Sequence, residues 1–218
     1  YLNISNPFIS KLICFLVAII CGMLFALIPA ILKAKCNVNE MVVTLMLNYA
    51  VSKTLEFLTT GVFKDKSAGY VATPTIKEDV MFKRFGASRM TMFFVIAMII
   101  LVIMYFVMKK SKLGYEITAI GKNPEFAEAT GMNVGKKIII MISGALSGIA
   151  GAGWMLSDQF KYTLTFSANP GLGWDGMLIA LLGGHSPIGI LIAAIFYAAL
   201  KTGSDSINMY TAVPKEIV

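Results

Sequence analysis

Long apolar stretches alternate with polar segments along most of this chain. Three uncharged runs, Leu12–Leu32, Met90–Met108 and Ile138–Ser157, contain 21, 19 and 20 residues. At about 1.5 Å per residue, each run is long enough as a helix to cross a hydrocarbon layer of roughly 30 Å. The pattern therefore predicts an all-α fold, a polytopic transmembrane helical bundle.

The segment Met41–Val62 is also apolar, but two charges interrupt it. Its uncharged part, Met41–Ser52, is too short to span a bilayer alone, and a longer helix must include Lys53 and Glu56. At positions i and i+3 these two side chains share a helix face and could pair. A charge at mid-bilayer costs about 2.5–3.5 kcal/mol, so we expect a span that ends near Leu58 with both charges close to its boundary.

Near the C-terminal end the hydrophobic pattern is broken. Two apolar stretches, Met177–Leu182 and Ile188–Leu200, flank the sequence Gly-Gly-His-Ser-Pro at 183–187. Glycine and proline interrupt helices, and transporters tolerate broken helices where these line protein or a cavity. We expect broken helices here, with Asp175 as an N-cap and the lone His185 as a turn residue.

Composition supports the membrane assignment. The chain is 57% hydrophobic and only 14% charged, whereas an ordinary soluble domain has about 25% charged residues. The net charge of +7 comes mainly from lysines in loops beside the apolar runs, where the positive-inside bias places them. Lysines do not interleave with aromatic residues as in a nucleic-acid groove, so we expect no nucleic-acid partner.

Sequence patterns for catalysis and metal binding are missing. We find no GxSxG, HExxH or P-loop motif and no paired His/Cys cluster. Cys14 and Cys21 would lie about 10 Å apart along one helix, too far for a disulfide, and Cys36 adds no metal-ligand spacing. We therefore expect a non-enzymatic chain without cofactor or metal, to which another chain must supply any ATP binding.

The polar insert Lys109–Lys137 between two long apolar runs points to function. It contains six lysines, three glutamates and four glycines. Pro124 suits the first turn of a short helix, Glu125 and Glu128 favour its positive end, and Gly131 would stop it. These features predict a short helical protrusion that could dock onto a partner, instead of an irregular loop.

Several motifs carry a resemblance to a known family. In the insert they are Gly114-Tyr115-Glu116, Ala119-Ile120-Gly121-Lys122-Asn123-Pro124, Ala127, Ala129 and Gly131-Met132; elsewhere they are Val38-Asn39-Glu40, Thr44–Tyr49, Ser143–Gly151 and Gly171–Gly184. In this order and spacing they resemble permeases of ABC importers, in the branch that serves branched-chain amino acids, simple sugars and nucleosides. The early motif and Trp174-Asp175-Gly176 are closest to the nucleoside and simple-sugar subgroup. Across Phe63–Arg89 the resemblance is weak.

The resemblance implies a permease subunit that moves nucleosides or simple sugars across the bacterial cytoplasmic membrane. It implies as partners a cytoplasmic ABC ATPase, a second permease chain and an extracellular or periplasmic solute-binding protein, besides the solute and the lipid bilayer. It places Lys109–Lys137 in the cytoplasm as a coupling helix, a point on which lysine counts alone are ambiguous. It also implies that residues 1–218 are one permease domain, a fragment of a longer permease.

Three sets of candidate functional residues follow. Asn48 and Asp175 could line the solute path, although an interhelical hydrogen bond and a helix cap explain them as well. Gly144, Gly148 and Gly151 would let membrane helices approach closely, in static packing or in sliding during transport. The residues expected in the ATPase-coupling loop are Gly114, Ala119, Gly121, Asn123, Pro124, Ala127, Ala129 and Gly131.

Three other functions fit part of the pattern. An ion-coupled secondary transporter would need a charged residue within the membrane, for which Lys53, Glu56 and Asp175 are the candidates. A membrane enzyme acting on lipids would need a polar catalytic cluster at the interface, which we cannot assemble from the sequence. A non-enzymatic scaffold would anchor a cytoplasmic partner without transport.

Overall fold

A computed structural model of the chain describes residues 6–36, 38–65, 69–86, 90–131, 136–163 and 171–210. The helices are α1 (Pro7–Cys36), α2 (Glu40–Thr60), α3 (Met92–Lys110), α4 (Lys112–Lys122), α5 (Pro124–Ala129), α6 (Lys136–Trp154), α7 (Leu172–Leu182) and α8 (Pro187–Tyr210). The described residues add a 3₁₀ turn at Glu78–Val80 and two isolated antiparallel bridges. The predicted all-α polytopic fold is confirmed.

Five of the described helices are long and apolar enough to cross a membrane. They are α1, α2, α3, the 21-residue stretch Ile139–Gln159 and the part of α8 from Pro187 to Ile207. Large apolar side chains are exposed along them, for example Met46 at 69% and Ile192 at 65%. Because water would not favour so much exposed apolar surface, the helices suit a lipid surrounding.

Contacts between residues divide the chain into two compact units. The first comprises Tyr1–Met98 and Lys112–Pro170, and the second comprises Ile99–Ser111 and Gly171–Val218. The sequence of α3 passes from the first unit into the second.

In the first unit, α1 and α6 pack through small residues. A Cβ added at Gly144 would lie 2.5 Å from the carbonyl oxygen of Gly22, and one added at Gly148 would lie 2.8 Å from the carbonyl carbon of Ala18. Such distances are shorter than side chains tolerate, so the two backbones meet directly. This is the close approach that small residues permit between membrane helices.

The far end of α6 is irregular. After Trp154 the helix widens into one π-helical turn, Met155–Gln159, in which Leu156 and Ser157 are buried. The turn ends at Phe160, whose φ of 55° lies in the left-handed region. Single π-helical turns inside helices often occur at functional sites.

The connection between α2 and α3 is fastened onto this irregular end. The backbone N–H groups of Ile76 and Phe82 donate to the carbonyl oxygens of Phe160 and Leu156, both at 2.9 Å. The Phe82 ring is 8% exposed and lies 6.1 Å from the Phe15 ring, centroid to centroid. The described part of this connection, which contains the 3₁₀ turn, is therefore packed against α1 and α6.

In the second unit, α7 and α8 form an antiparallel hairpin. The turn between them contains His185 with a φ of 56° and Gly184 with a φ of 60°. A Cβ added at Gly183 would lie 2.5 Å from the backbone nitrogen of Ile190, so the start of α8 touches the end of α7 there. The predicted break at 183–187 is therefore a tight helical turn, and the placement of His185 in it is confirmed.

Candidate functional site

Helices α4 and α5 form a short two-helix element in the polar insert between α3 and α6. Asn123 joins them: its backbone N–H donates to the Ala119 carbonyl at 2.9 Å, which continues α4. Its side-chain Oδ1 accepts the backbone N–H of Phe126 at 3.0 Å, which caps the start of α5. One residue thus closes the first helix and starts the second.

The interior of this element holds two small predicted residues. Gly114 is buried in α4, and Ala127 in α5 is only 1% exposed. Ala127 was expected to contact the ATPase, but its side chain is buried within this chain and presents no surface to a partner. The exposed large apolar side chains in the described part of this element are Tyr115, at 63%, Phe126, at 58%, and Leu113, at 41%. Phe126 was not predicted, although an aromatic residue between glutamate and alanine in a short polar helix is a signal for it.

The remaining predicted residues of the insert lie in α4 and α5 or directly after them. Gly131 has a φ of 74°, a left-handed conformation that glycine adopts without strain, and it follows the end of α5. Ala119 lies half-buried in α4, Gly121 is exposed near its end, and Pro124 and Ala129 are the first and last residues of α5. Met132 lies outside the described residues.

Asn48 lies in the middle of α2 and is exposed. It lines an open groove of ≈ 370 Å³ between α1, α2 and α6. Among the hydrogen bonds of the described residues, none involves the Asn48 amide. The structure therefore gives this polar group no interhelical bond within the described chain, which was one of its two predicted roles.

Asp175 is held in a polar cluster between α7 and α8. Its Oδ1 accepts the Tyr197 hydroxyl and its Oδ2 accepts the Lys201 ammonium, each at 2.7 Å. The prediction that Asp175 caps a helix is wrong, because α7 starts after Gly171 and Asp175 lies in its first turn. The sequence pattern predicts neither partner, although Lys201, a charge at the end of the apolar run, is a signal for one of them.

The other charged candidates form a local pair. The Lys53 ammonium lies 2.8 Å from the Glu56 carboxylate, so the predicted i, i+3 pairing is confirmed. The Lys53 side chain is 77% exposed, and the pair joins residues of one helix only. In the described part of the chain, no group of three or more His, Cys, Asp or Glu residues could hold a metal ion.

The predicted packing glycines differ in their surroundings. Gly144 and Gly148 face α1 directly, whereas a Cβ added at Gly151 would meet no heavy atom within 4 Å. Asn48 and the glycines belong to the first unit and Asp175 to the second.

Residues 2–216 match the family described as branched-chain amino acid transport system / permease component. A guanosine ABC transporter permease protein of Bacillus subtilis is 34% identical over 202 residues, covering 90% of this chain and 58% of the relative. A nucleoside ABC transporter permease protein of Lactococcus lactis is 33% identical, covering 99% of this chain and 63% of the relative.

A glucose ABC transporter permease protein of Haloferax volcanii is 27% identical over 99% of this chain and 60% of the relative. The chain thus spans about three-fifths of the length of these relatives. No solved structure matches it.

These relatives are transport components and not enzymes. With five apolar helices among its described residues, the chain is a multi-pass integral membrane protein of the bacterial cytoplasmic membrane. Because the family match covers nearly all of its residues, the chain belongs to the branched-chain amino acid transport system / permease component family.

Proposed function

We propose that this chain is the membrane-spanning permease subunit of an ATP-driven ABC importer for nucleosides or simple sugars. Its partners would be a cytoplasmic ABC ATPase, a second permease chain and a solute-binding protein outside the membrane. The family match and the names of the relatives, which include guanosine, nucleoside and glucose permeases, support this proposal.

The observation that carries the proposal is the α4–α5 element. A permease that does no bond chemistry must receive a mechanical push from the ATPase, and this requires a rigid protrusion. The Asn123 cap, the buried Ala127 and the left-handed Gly131 give α5 a defined shape at its start, middle and end. Its exposed Phe126 offers an aromatic anchor of the kind that dominates protein interfaces.

The force would reach the spans through short connections. Only Ser111 separates α4 from α3, and α6 begins at Lys136 and packs along α1 through glycines. A displacement of the α4–α5 element would therefore act on the end of α3 and on the start of α6. Since packed helices move as bodies, this suits alternating access to a solute path.

The second candidate function is ion-coupled secondary transport, which the Asp175–Lys201 pair favours. Charged residues within membrane-spanning proteins often mark ion or proton pathways. The pair is formed at 2.7 Å and bridges two helices, so protonation of the carboxylate would weaken the hairpin. Uptake that persists without the ATPase and stops when the proton gradient is abolished would establish this alternative.

The docking role can be tested with two phenylalanines of equal exposure. Phe126 and Phe63 are 58% and 57% exposed, and Phe63 follows the end of α2, away from the α4–α5 insert in sequence. We expect Phe126→Glu to lower co-purification of the ATPase roughly 30-fold, because the loss of an aromatic anchor costs about 2 kcal/mol. Phe63→Glu should leave it unchanged.

Membrane insertion of both variants is measured alongside, by the amount of chain in the membrane fraction. If Phe126→Glu inserts normally and retains both the ATPase and solute uptake, the assignment of α4–α5 as the coupling element is wrong.

A further inference from the structure

The first unit contains an open groove that has no part in the proposed coupling to the ATPase. It has a volume of ≈ 370 Å³ and lies between α1, α2 and α6. The lining residues that matter here are Gly22, Phe25, Thr44, Asn48, Gly144 and Ser147. Its size falls within the range of about 300–1,000 Å³ that is usual for small-molecule sites.

The groove lies about halfway along each of its three helices. Gly22 is central in α1, Asn48 is central in α2 and Ser147 is central in α6. If these helices cross the bilayer, the groove lies near its midplane. Solute sites of membrane transporters occur at this depth, where a conformational change can open the site to either side of the membrane.

The two hydroxyl groups in the groove are acceptors toward a ligand. The Thr44 hydroxyl donates to the carbonyl oxygens of Glu40 and Met41, at 2.9 and 3.0 Å. The Ser147 hydroxyl donates to the Ser143 carbonyl at 3.0 Å. Because each hydroxyl hydrogen is already used by the helix backbone, only oxygen lone pairs remain for a partner in the groove.

The side-chain amide of Asn48 differs from these hydroxyls, because it takes part in no hydrogen bond among the described residues. It therefore offers both a donor and an acceptor to the groove. A polar group at this depth is costly in an apolar surrounding unless it finds a partner. An amide is also able to pair with the edge of a nucleobase through two parallel hydrogen bonds.

Phe25 supplies the aromatic part of the site, within a lining that also contains the apolar Ala26, Pro29, Leu47 and Val51. The Phe25 side chain is 49% exposed and lines the groove together with Gly22 and Gly144, which contact each other directly. An exposed aromatic face stacks on planar rings of any base, with a gain of about 1–3 kcal/mol. The groove thus combines a mainly apolar lining with a stacking face, an amide and two acceptors.

We propose that this groove binds the transported solute and that the solute is a nucleoside. Phe25 stacks on the base, Asn48 pairs with the base edge, and the oxygens of Thr44 and Ser147 accept hydrogen bonds from ribose hydroxyls. This inference rests on the proposed importer function and adds the solute site and its chemical class. Lipid tails would not satisfy the Asn48 amide, and a hexose would not use it as a base edge does.

The test measures uptake of radiolabelled guanosine in cells that contain the complete transporter. We expect Asn48→Leu to raise KM for guanosine about tenfold, as the loss of a paired amide implies. Asn48→Gln, which keeps the amide, should restore part of the affinity. Tyr49→Leu is the matched control, because Tyr49 is the next residue of α2, is 71% exposed and does not line the groove.

A second pair of variants tests the stacking face. Phe25 and Phe94 are both 49% exposed, and only Phe25 lines the groove. We expect Phe25→Leu to raise KM for guanosine about tenfold and Phe94→Leu to leave it unchanged. All variants are also assayed for ATPase co-purification, which should remain at the wild-type level.

Unchanged KM in both Asn48→Leu and Phe25→Leu, with uptake intact, would overturn the assignment of the groove as the solute site. Competition of uptake by glucose and not by other nucleosides would overturn the solute class. Absence of ATP-dependent uptake of either class by the wild-type transporter would instead contradict the proposed importer function, so the two failures are distinguishable.

Discussion

Two helix pairs of this protein are held together by different means. In the first unit, α1 and α6 meet backbone to backbone, because Gly22 faces Gly144 and leaves no room for a Cβ. In the second unit, polar side chains join the first turn of α7 to the middle of α8: Asp175 with Tyr197 and Lys201. The α1–α6 contact depends on the absence of side chains at the glycines, whereas the α7–α8 contact depends on polar side chains.

The difference matters for how each pair can move. Glycine contacts rely on dispersion over a smooth surface, and such a surface permits sliding as well as static packing. A charged pair in a membrane protein is directional, and separating it leaves a charge without a partner. We therefore expect the α1–α6 contact to be the more sensitive to added volume and the α7–α8 contact to charge.

The largest effect is expected from added volume between α1 and α6. Gly144→Leu should destabilise the protein by about 3 kcal/mol, because its side chain would overlap the backbone of α1 at Gly22. Gly151→Leu on the same helix is the matched control, since a Cβ there meets nothing within 4 Å. Thermal unfolding of both variants in detergent measures the difference, and equal stabilities would refute direct backbone packing.

A smaller effect is expected when one charge of the hairpin is removed. Asp175→Asn or Lys201→Met alone should cost about 1–2 kcal/mol; the side chain of Lys201 is 54% exposed, which reduces the penalty of leaving it unpaired. The double variant should be more stable than the sum of the two single effects predicts. A double-mutant cycle measures this coupling, and strict additivity would show that the pair does not fasten the hairpin.

The smallest effect is expected at the hydroxyl that completes the cluster. Tyr197→Phe removes one hydrogen bond to Asp175 and keeps the ring, so the cost should be about 0.6 kcal/mol, typical of interhelical bonds in membranes. Unfolding of this variant is compared with that of Tyr210→Phe, an exposed tyrosine at the end of α8. A loss as large as that of Lys201→Met would place the main contact at the hydroxyl.

The sequence by itself determined four of the five candidate spans among the described residues, the break at 183–187 and the start and end of α5, whereas the short run Ile188–Leu200 did not show that α8 continues to Tyr210. The reason is local: run length sets whether a helix can cross a bilayer, and proline, asparagine and glycine act on the turns where they lie. The glycines of α6 could be recognised as a packing surface for the same reason, although not which of them would meet α1.

Only the tertiary structure decided the contacts between distant residues. The partners of Asp175 lie 22 and 26 residues away, and the groove at Asn48 is made by three helices, so no local pattern marks either one. Ala127 faces inward and Phe126 outward because α5 folds against its own insert, and in a helix of six residues composition alone does not fix that rotation. The local sequence determines where helices form, and tertiary packing determines which of their faces remain exposed for function.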